Sequence, residues 1–249
     1  MMRIDRREPE DLRKVEIIPG VLKNAHGSCE IRWGNNRILC AASVDSNIPK
    51  WLAGKGKGWL TAEYAMLPYS SPQRIPRDIT KGTQSSRSVE IQRLIGRSLR
   101  SIFNLEALGE RTILVDCDVI EADGGTRTAC ITGGFVAVAL AVERLLEEQQ
   151  LSQKKSYIHD WLAAVSVGIV EGQAVLDLCY LEDSQAETDM NLVMTGAGSF
   201  VEIQGTAEGK PFTPEQNQAM ISLGSKGIAE LIALQKTLIK PGLVGPKSA

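Results

Sequence analysis

Three groups of side chains in this 249-residue chain could act on a phosphate ester. The first is "EADGGTRTACITGG", Glu121 to Gly134, where a strand-like run hands over to an Ala- and Val-rich one. A helix start leaves backbone N–H groups unpaired and carries about half a positive charge, so it attracts anions. Gly124 and Gly125 let the main chain approach an oxyanion, Thr126 and Thr128 offer hydroxyls, and Arg127 offers a planar fork that matches phosphate oxygens. A D-G-G turn with a threonine cap is the competing reading of the same residues. Arg127 weighs against it, because a cation gains nothing from the positive end of a helix.

Arg87, in "SSRSVEIQRLIGRSLR", also stands near a helix start, where acids are favoured. Two such placements are explained together if both arginines converge on one anion. The third group lies in "LDLCYLEDSQAETDMN", where Asp177, Asp183 and Asp189 recur every six residues. Carboxylates beside a phosphate site can hold Mg²⁺ or protonate a leaving oxygen. A solvated acidic loop between strands is the other reading. The alternation of "VLDLCYL" predicts that Asp177 sits on a strand, facing away from Leu176 and Leu178.

These groups need elements to hold them. "VEIIPG", "SCEIRW" and "RILCAAS" read as strands, the last two joined by a hairpin turn at "WGNN". "GKGWLTAEYAMLPYSSPQRIPRD" reads as a strand followed by an irregular loop. Val89, Ile91, Leu94, Ile95, Leu99, Ile102 and Phe103 recur at helical spacing, with Ser85 or Ser86 as cap. "RTILVDCDVIEA" predicts a strand ending at the glycine pair, and Thr128 to Glu148 a helix packed closely on a sheet. "WLAAVSVGIV", "QAVLDLCYL", "MNLVMT" and "SFVEIQG" supply four more strands, the last two joined by a Gly-Ala-Gly turn. Thr213, Pro214 and Gln216 spell a capping box opening the last helix. Two rounds of strands then helix predict a mixed α/β (α+β) architecture of two similar halves.

Hydrophobic residues make up 43% of the chain and charged ones 23%, the balance of an ordinary folded domain. Residues 50–100 carry ten Lys/Arg against three acids, whereas residues 101–249 carry ten against twenty. A basic segment in a mildly acidic protein points to a local phosphate or polyanion site; a solvated helix face is the plainer account. Cys29, Cys40, Cys117, Cys130 and Cys179 are scattered, with no C-x-x-C pair, and read as buried reduced thiols of a cytoplasmic protein. His26 and His159 form no metal-ligand pattern, and His26 is expected to hydrogen-bond beside its turn. No leader and no long apolar stretch is read, so neither secretion nor a membrane span is expected.

"GKGWLTAEYAMLP", "RSVEIQRLIGRSLR", "DCDVIEADGGTRTACITGG", "EDSQAETDMNLVMT" and "VEIQGTAEGKPFT", in this order, closely resemble the ribonuclease PH family. The resemblance runs from "RKVEI" to the last helix and implies one domain over residues 1–249, with two related βαβ-type halves. It implies a phosphate-dependent 3′→5′ exoribonuclease that trims tRNA precursors and other RNA 3′ ends and releases nucleoside diphosphates. It further implies Mg²⁺, inorganic phosphate as co-substrate, and a homo-oligomer built as a hexameric trimer of dimers. Residue by residue, Arg87, Gly125, Thr126 and Arg127 match the phosphate site. Asp183 and Asp189 match the catalytic or metal-binding acids, with Asp177 a third metal candidate, and Arg74 and Arg77 match RNA-holding positions. Tyr69 stands where bacterial members commonly carry arginine, and "RIDRRE" lacks the glycine of the usual N-terminal pattern.

Overall fold

β1 (Val15–Pro19), β2 (Gly27–Trp33) and β3 (Asn36–Asp45) form an antiparallel meander in the computed structural model, which describes residues 3–245. Trp33 pairs with Asn36 across the expected two-residue turn, which Gly34 opens at φ 58°. His26 sits where this hairpin begins, its Nδ1 accepting the Val44 N–H at 3.1 Å. After β4 (Trp59–Met66) the chain runs through α1 (Asp78–Lys81), α2 (Ser86–Ser101) and α3 (Leu105–Leu108). Ser85 caps α2 by accepting the Ser88 N–H at 3.0 Å. β5 (Thr112–Glu121) then inserts between β3 and β4, antiparallel to the first and parallel to the second.

α4 (Thr126–Glu147) begins two residues before the expected start, so Thr126 and Arg127 belong to its first turn. It lies under the first sheet so closely that a Cβ on Gly27 would come within 2.2 Å of the Ala137 carbonyl oxygen. One 18-residue window of α4 reaches a mean hydropathy of 1.8, which corrects the expectation of no long apolar stretch. That window is 83% buried, and the apolarity reflects contact with two sheets.

The second half holds β6 (Leu162–Val170), β7 (Gln173–Leu176), α5 (Tyr180–Asp183), β8 (Thr188–Thr195), β9 (Phe200–Ala207) and α6 (Pro214–Lys236). Its strands lie in the order β7-β6-β8-β9, all antiparallel, whereas the first half contains the β4–α2–β5 crossover. α6 starts with the expected box: Thr213 Oγ1 accepts the Gln216 N–H at 3.2 Å, and Gln216 Oε1 accepts the Thr213 N–H at 2.9 Å. One core runs through both halves, from Ile31 and Cys117 through Phe135 to Val165 and Leu192. All five cysteines are free and buried in the fold. The side chain of Gln235 joins the halves from α6, donating to the Thr132 and Leu162 carbonyls at 3.2 and 2.9 Å.

The N-terminal departure has a local cost. Arg6, with its side chain exposed, adopts φ 64°, a left-handed conformation that disfavours any residue with a Cβ. Arg6→Gly therefore raises stability by about 0.5–1 kcal/mol, the relief exceeding the added freedom of the unfolded chain. A higher urea midpoint at unchanged slope checks this; a lower midpoint overturns it.

Candidate active site

Ala122 to Gly125 carry the chain from β5 into α4, with Gly124 at φ 72° and Gly125 at φ 70°. A Cβ on Gly124 would sit 2.8 Å from the main chain of Leu178, Cys179 and Tyr180, so only glycine lets the two halves meet here. The turn is held from three directions. Asn36 Nδ2 donates to the Gly124 carbonyl at 2.7 Å while its Oδ1 accepts the Asp123 N–H at 2.6 Å. Asp123 Oδ1 accepts the Tyr180 N–H at 3.1 Å, tying the turn to α5. Arg13 donates to the Asp123 and Gly124 carbonyls from below.

No side chain caps α4, whose N-cap is Gly125. Gly125 and Thr126 line a cleft, so the uncapped, positive end of the helix borders it, as an anion seat requires. Thr126 lines that cleft, its hydroxyl 3.0 Å from the buried Tyr64 phenol. Thr128 is different: it is buried and donates to the Gly125 carbonyl at 2.9 Å, so the expectation that its hydroxyl serves an anion is corrected.

The cleft is a cavity of about 830 Å³ lined by Arg77, Arg87, Gly125, Thr126, Tyr180 and Asp183 among others. Arg87 projects from the first turn of α2 and is exposed. Among the described residues it has no hydrogen bond or ion pair to protein. Asp183 ends α5, and Asp189 lies on β8 opposite Gly168. Burial pushes the Asp183 carboxyl up, against the pull of Arg87, Arg127 and Arg13. Burial, then the charge of Asp183, pushes Asp189 up to about 6, with Arg127 and Arg87 opposing. The two acids and two arginines thus share one electrostatic neighbourhood, although Arg87 lies 96 and 102 positions before Asp183 and Asp189 in the sequence.

Asp177 departs from expectation. β7 stops at Leu176, and Asp177 turns the chain at φ 58° before α5, so the strand alternation does not reach it. Its carboxylate is 1% exposed and fully engaged. Oδ1 accepts from Arg13 Nη2 at 2.7 Å; Oδ2 accepts from Trp33 Nε1 at 2.8 Å, Arg13 Nε at 3.0 Å and the Arg13 N–H at 2.7 Å. Nor do three metal-ligating side chains converge anywhere among the described residues. The metal role read for Asp177 is therefore corrected to a structural one, leaving Asp183 and Asp189 as a pair. Arg3 makes the parallel contact, buried against Glu182 at 2.7 Å and donating to the Leu176 carbonyl at 2.8 Å. Asp177→Ala strips Arg13 of its buried, hydrogen-bonded counter-charge, leaves it Asp123 at 3.7 Å, and lowers stability by about 3–5 kcal/mol. Chemical denaturation checks this; a loss under about 1 kcal/mol, the worth of a surface pair, overturns it.

Arg77 lines the cleft, whereas Arg74 is exposed on the same loop outside it. Tyr69 is 76% exposed, in a shallower concavity with Arg32 and Arg37 that shares Ser71, Pro72 and Ala122 with the cleft. Sequence reading missed Arg13, Asn36, Tyr64 and Tyr180. The first three act across gaps of 62 to 164 residues, for which local pattern carries no signal.

Models of the 3′ exoribonuclease family match the chain twice, domain 1 over residues 11–142 and domain 2 over residues 160–227. The chain is 53% identical over 239 residues to a ribonuclease PH from Solibacter usitatus, covering 96% of this chain and 100% of that one. It is 50% identical over 239 residues to a ribonuclease PH from Listeria welshimeri, covering 96% of each. Among solved structures it resembles the crystal structure of rice (Oryza sativa) Rrp46, with TM-score 0.76 at 18% identity over 96% of this chain and 100% of that one. It also resembles the Archaeoglobus fulgidus exosome with RNA bound to the active site, with TM-score 0.75 at 21% identity over 93% and 92%. These two share the fold.

Proposed function

The chain belongs to the ribonuclease PH family of 3′ exoribonucleases, and we propose that Arg87 and the Gly125–Thr126–Arg127 turn hold the phosphate that does its chemistry. The protein is a phosphate-dependent 3′→5′ exoribonuclease that processes tRNA. The observation that carries the site is the common field of Arg87, Arg127, Asp183 and Asp189 beside an uncapped helix start.

The reaction follows from that arrangement. An oxygen of orthophosphate attacks the phosphorus of the terminal nucleotide. The bond from that phosphorus to the 3′ oxygen of the preceding nucleotide breaks, and a nucleoside 5′-diphosphate leaves. Phosphate is an anion attacking an anionic diester, so guanidinium groups must cancel the repulsion, which a hydrolytic enzyme using water does not face. Positioning supplies most of the acceleration, because phosphoryl transfer asks for little covalent help from the protein. Asp183 and Asp189, both raised above the ordinary carboxylate range, would pass a proton to the departing 3′ oxygen.

The same pair fits Mg²⁺: two half-buried hard oxygen donors whose crowding a cation relieves, with substrate phosphate completing the shell. Bound there, the ion would neutralise charge on the scissile group. Arg74 and Arg77 would meet the incoming RNA backbone. We further propose that the chain works in the cytoplasm as one domain in a homohexameric ring, a trimer of dimers. Exposed Trp51, Leu181, Phe200 and Ile203 offer apolar surface for such contacts.

The test is a 3′-labelled tRNA precursor incubated with and without inorganic phosphate. Label is released as a nucleoside diphosphate with phosphate present and stays on the RNA without it. Release as a monophosphate in both arms overturns the reading.

A further inference from the structure

Arg127 is held as well as placed. Its Nη1 donates to Glu90 Oε1 at 3.1 Å and to Gln204 Oε1 at 2.9 Å. Gln204 Nε2 in turn donates to the same Glu90 oxygen at 3.2 Å, closing a triangle. Among the described residues, Arg127 Nε and Nη2 have no protein acceptor. The three corners come from three elements: Glu90 from α2, Arg127 from α4 and Gln204 from β9 of the second half. A second clip fixes the same two outer elements, Arg97 on α2 meeting Glu202 on β9 at 2.8 Å.

We propose that Glu90 and Gln204 are positioning residues for Arg127, holding one terminal nitrogen so that the rest of its fork meets the attacking phosphate; this rests on the function proposed above. A free arginine side chain loses rotamer freedom when it grips an anion, and a fork fixed beforehand loses less. Glu90 stands three residues after Arg87 on the same helix, so α2 supplies both a clamp arginine and the brace for its partner. The grip on Nη1 needs only an acceptor oxygen. The carboxylate charge of Glu90 is not required and, being negative, opposes phosphate.

Two consequences separate this role from a merely structural one. The double variant Glu90→Ala with Gln204→Ala frees Arg127, and the KM for phosphate rises about tenfold or more while the KM for RNA stays unchanged. Glu90→Gln keeps an acceptor oxygen, so it retains wild-type turnover and binds phosphate at least as tightly. Glu90 is 45% exposed, so these variants fold, which thermal melting verifies. Phosphate affinity is measured a second way, through the rise in melting temperature on adding inorganic phosphate, which reads the clamp without RNA. The proposal is overturned by a double variant whose phosphate KM and phosphate-induced melting shift match wild type, or by Glu90→Gln behaving as badly as the double variant. A wild type that binds phosphate yet trims no RNA overturns the proposed function and leaves the brace supported or refuted by the melting shifts alone.

Discussion

Arg127→Ala lowers phosphate-dependent trimming about a thousandfold or more, the scale on which an arginine at a transferring phosphoryl group acts. Arg127 occupies the first turn of α4, where the helix dipole already draws an anion, and its side chain is only 16% exposed. Removing it leaves the proposed clamp with Arg87 alone, an exposed side chain lining the cleft. Lysine at 127 keeps the charge but loses the fork, and one ammonium cannot both satisfy Glu90 and Gln204 and present two donors to phosphate. Arg127→Lys therefore recovers little. Initial rates on labelled RNA across a phosphate series measure this, with thermal melting confirming the fold. A loss of less than about tenfold, too small for a group at the reacting phosphate, rejects the assignment.

Asp189→Asn moves activity and stability in opposite directions. Burial and then the neighbouring Asp183 charge raise the Asp189 carboxyl to about 6. The folded-state value lies above the unfolded one, so the group's favourable contribution is complete below about pH 4 and is lost as pH rises through about 6. At pH 7 the wild type therefore carries a crowded anion that asparagine does not. The variant is more stable there by up to about 3 kcal/mol, and the gain vanishes near pH 4. Activity falls about a hundredfold or more, because asparagine neither donates a carboxyl proton nor supplies an anionic ligand. If the pair holds Mg²⁺ as proposed, the Mg²⁺ concentration needed for half-maximal rate climbs as pH falls through 6. Melting curves at pH 4 and 7, paired with rate assays, decide the matter; a variant less stable than wild type at pH 7 contradicts the account.

How much of this was readable beforehand depended on how far each residue reaches. The α6 cap is spelled by four consecutive residues, and the "WGNN" turn joins its own neighbours; both are local chemistry and both appear as expected. Arg87 and Arg127 could be singled out because each contradicts the charge preference of its own helix start. Their partners could not. Arg13 grips Asp177 from 164 residues away, and the insertion of β5 between β3 and β4 is a decision of the whole sheet. Asp177 misled because alternating leucines look like strand, while the main chain there has already left it for a left-handed turn. Nothing local distinguishes a carboxylate saturated by a distant arginine from one free to bind a cation.

The arginines at the start of the chain have a temporal side. Arg3 and Arg13 find their buried carboxylates at Glu182 and Asp177, and the Leu176 N–H donates back to the Pro9 carbonyl at 2.7 Å. During synthesis the leading segment must wait for these two partners until about three quarters of the polypeptide has been made. Docking of the leading segment under the Ala122–Gly125 turn is thus a late, long-loop event, slow by contact order and vulnerable to premature association. A nascent chain stalled before Asp177 would hold every strand of the first sheet while the Ala122–Gly125 turn lacked the Arg13–Asp177 support beneath it.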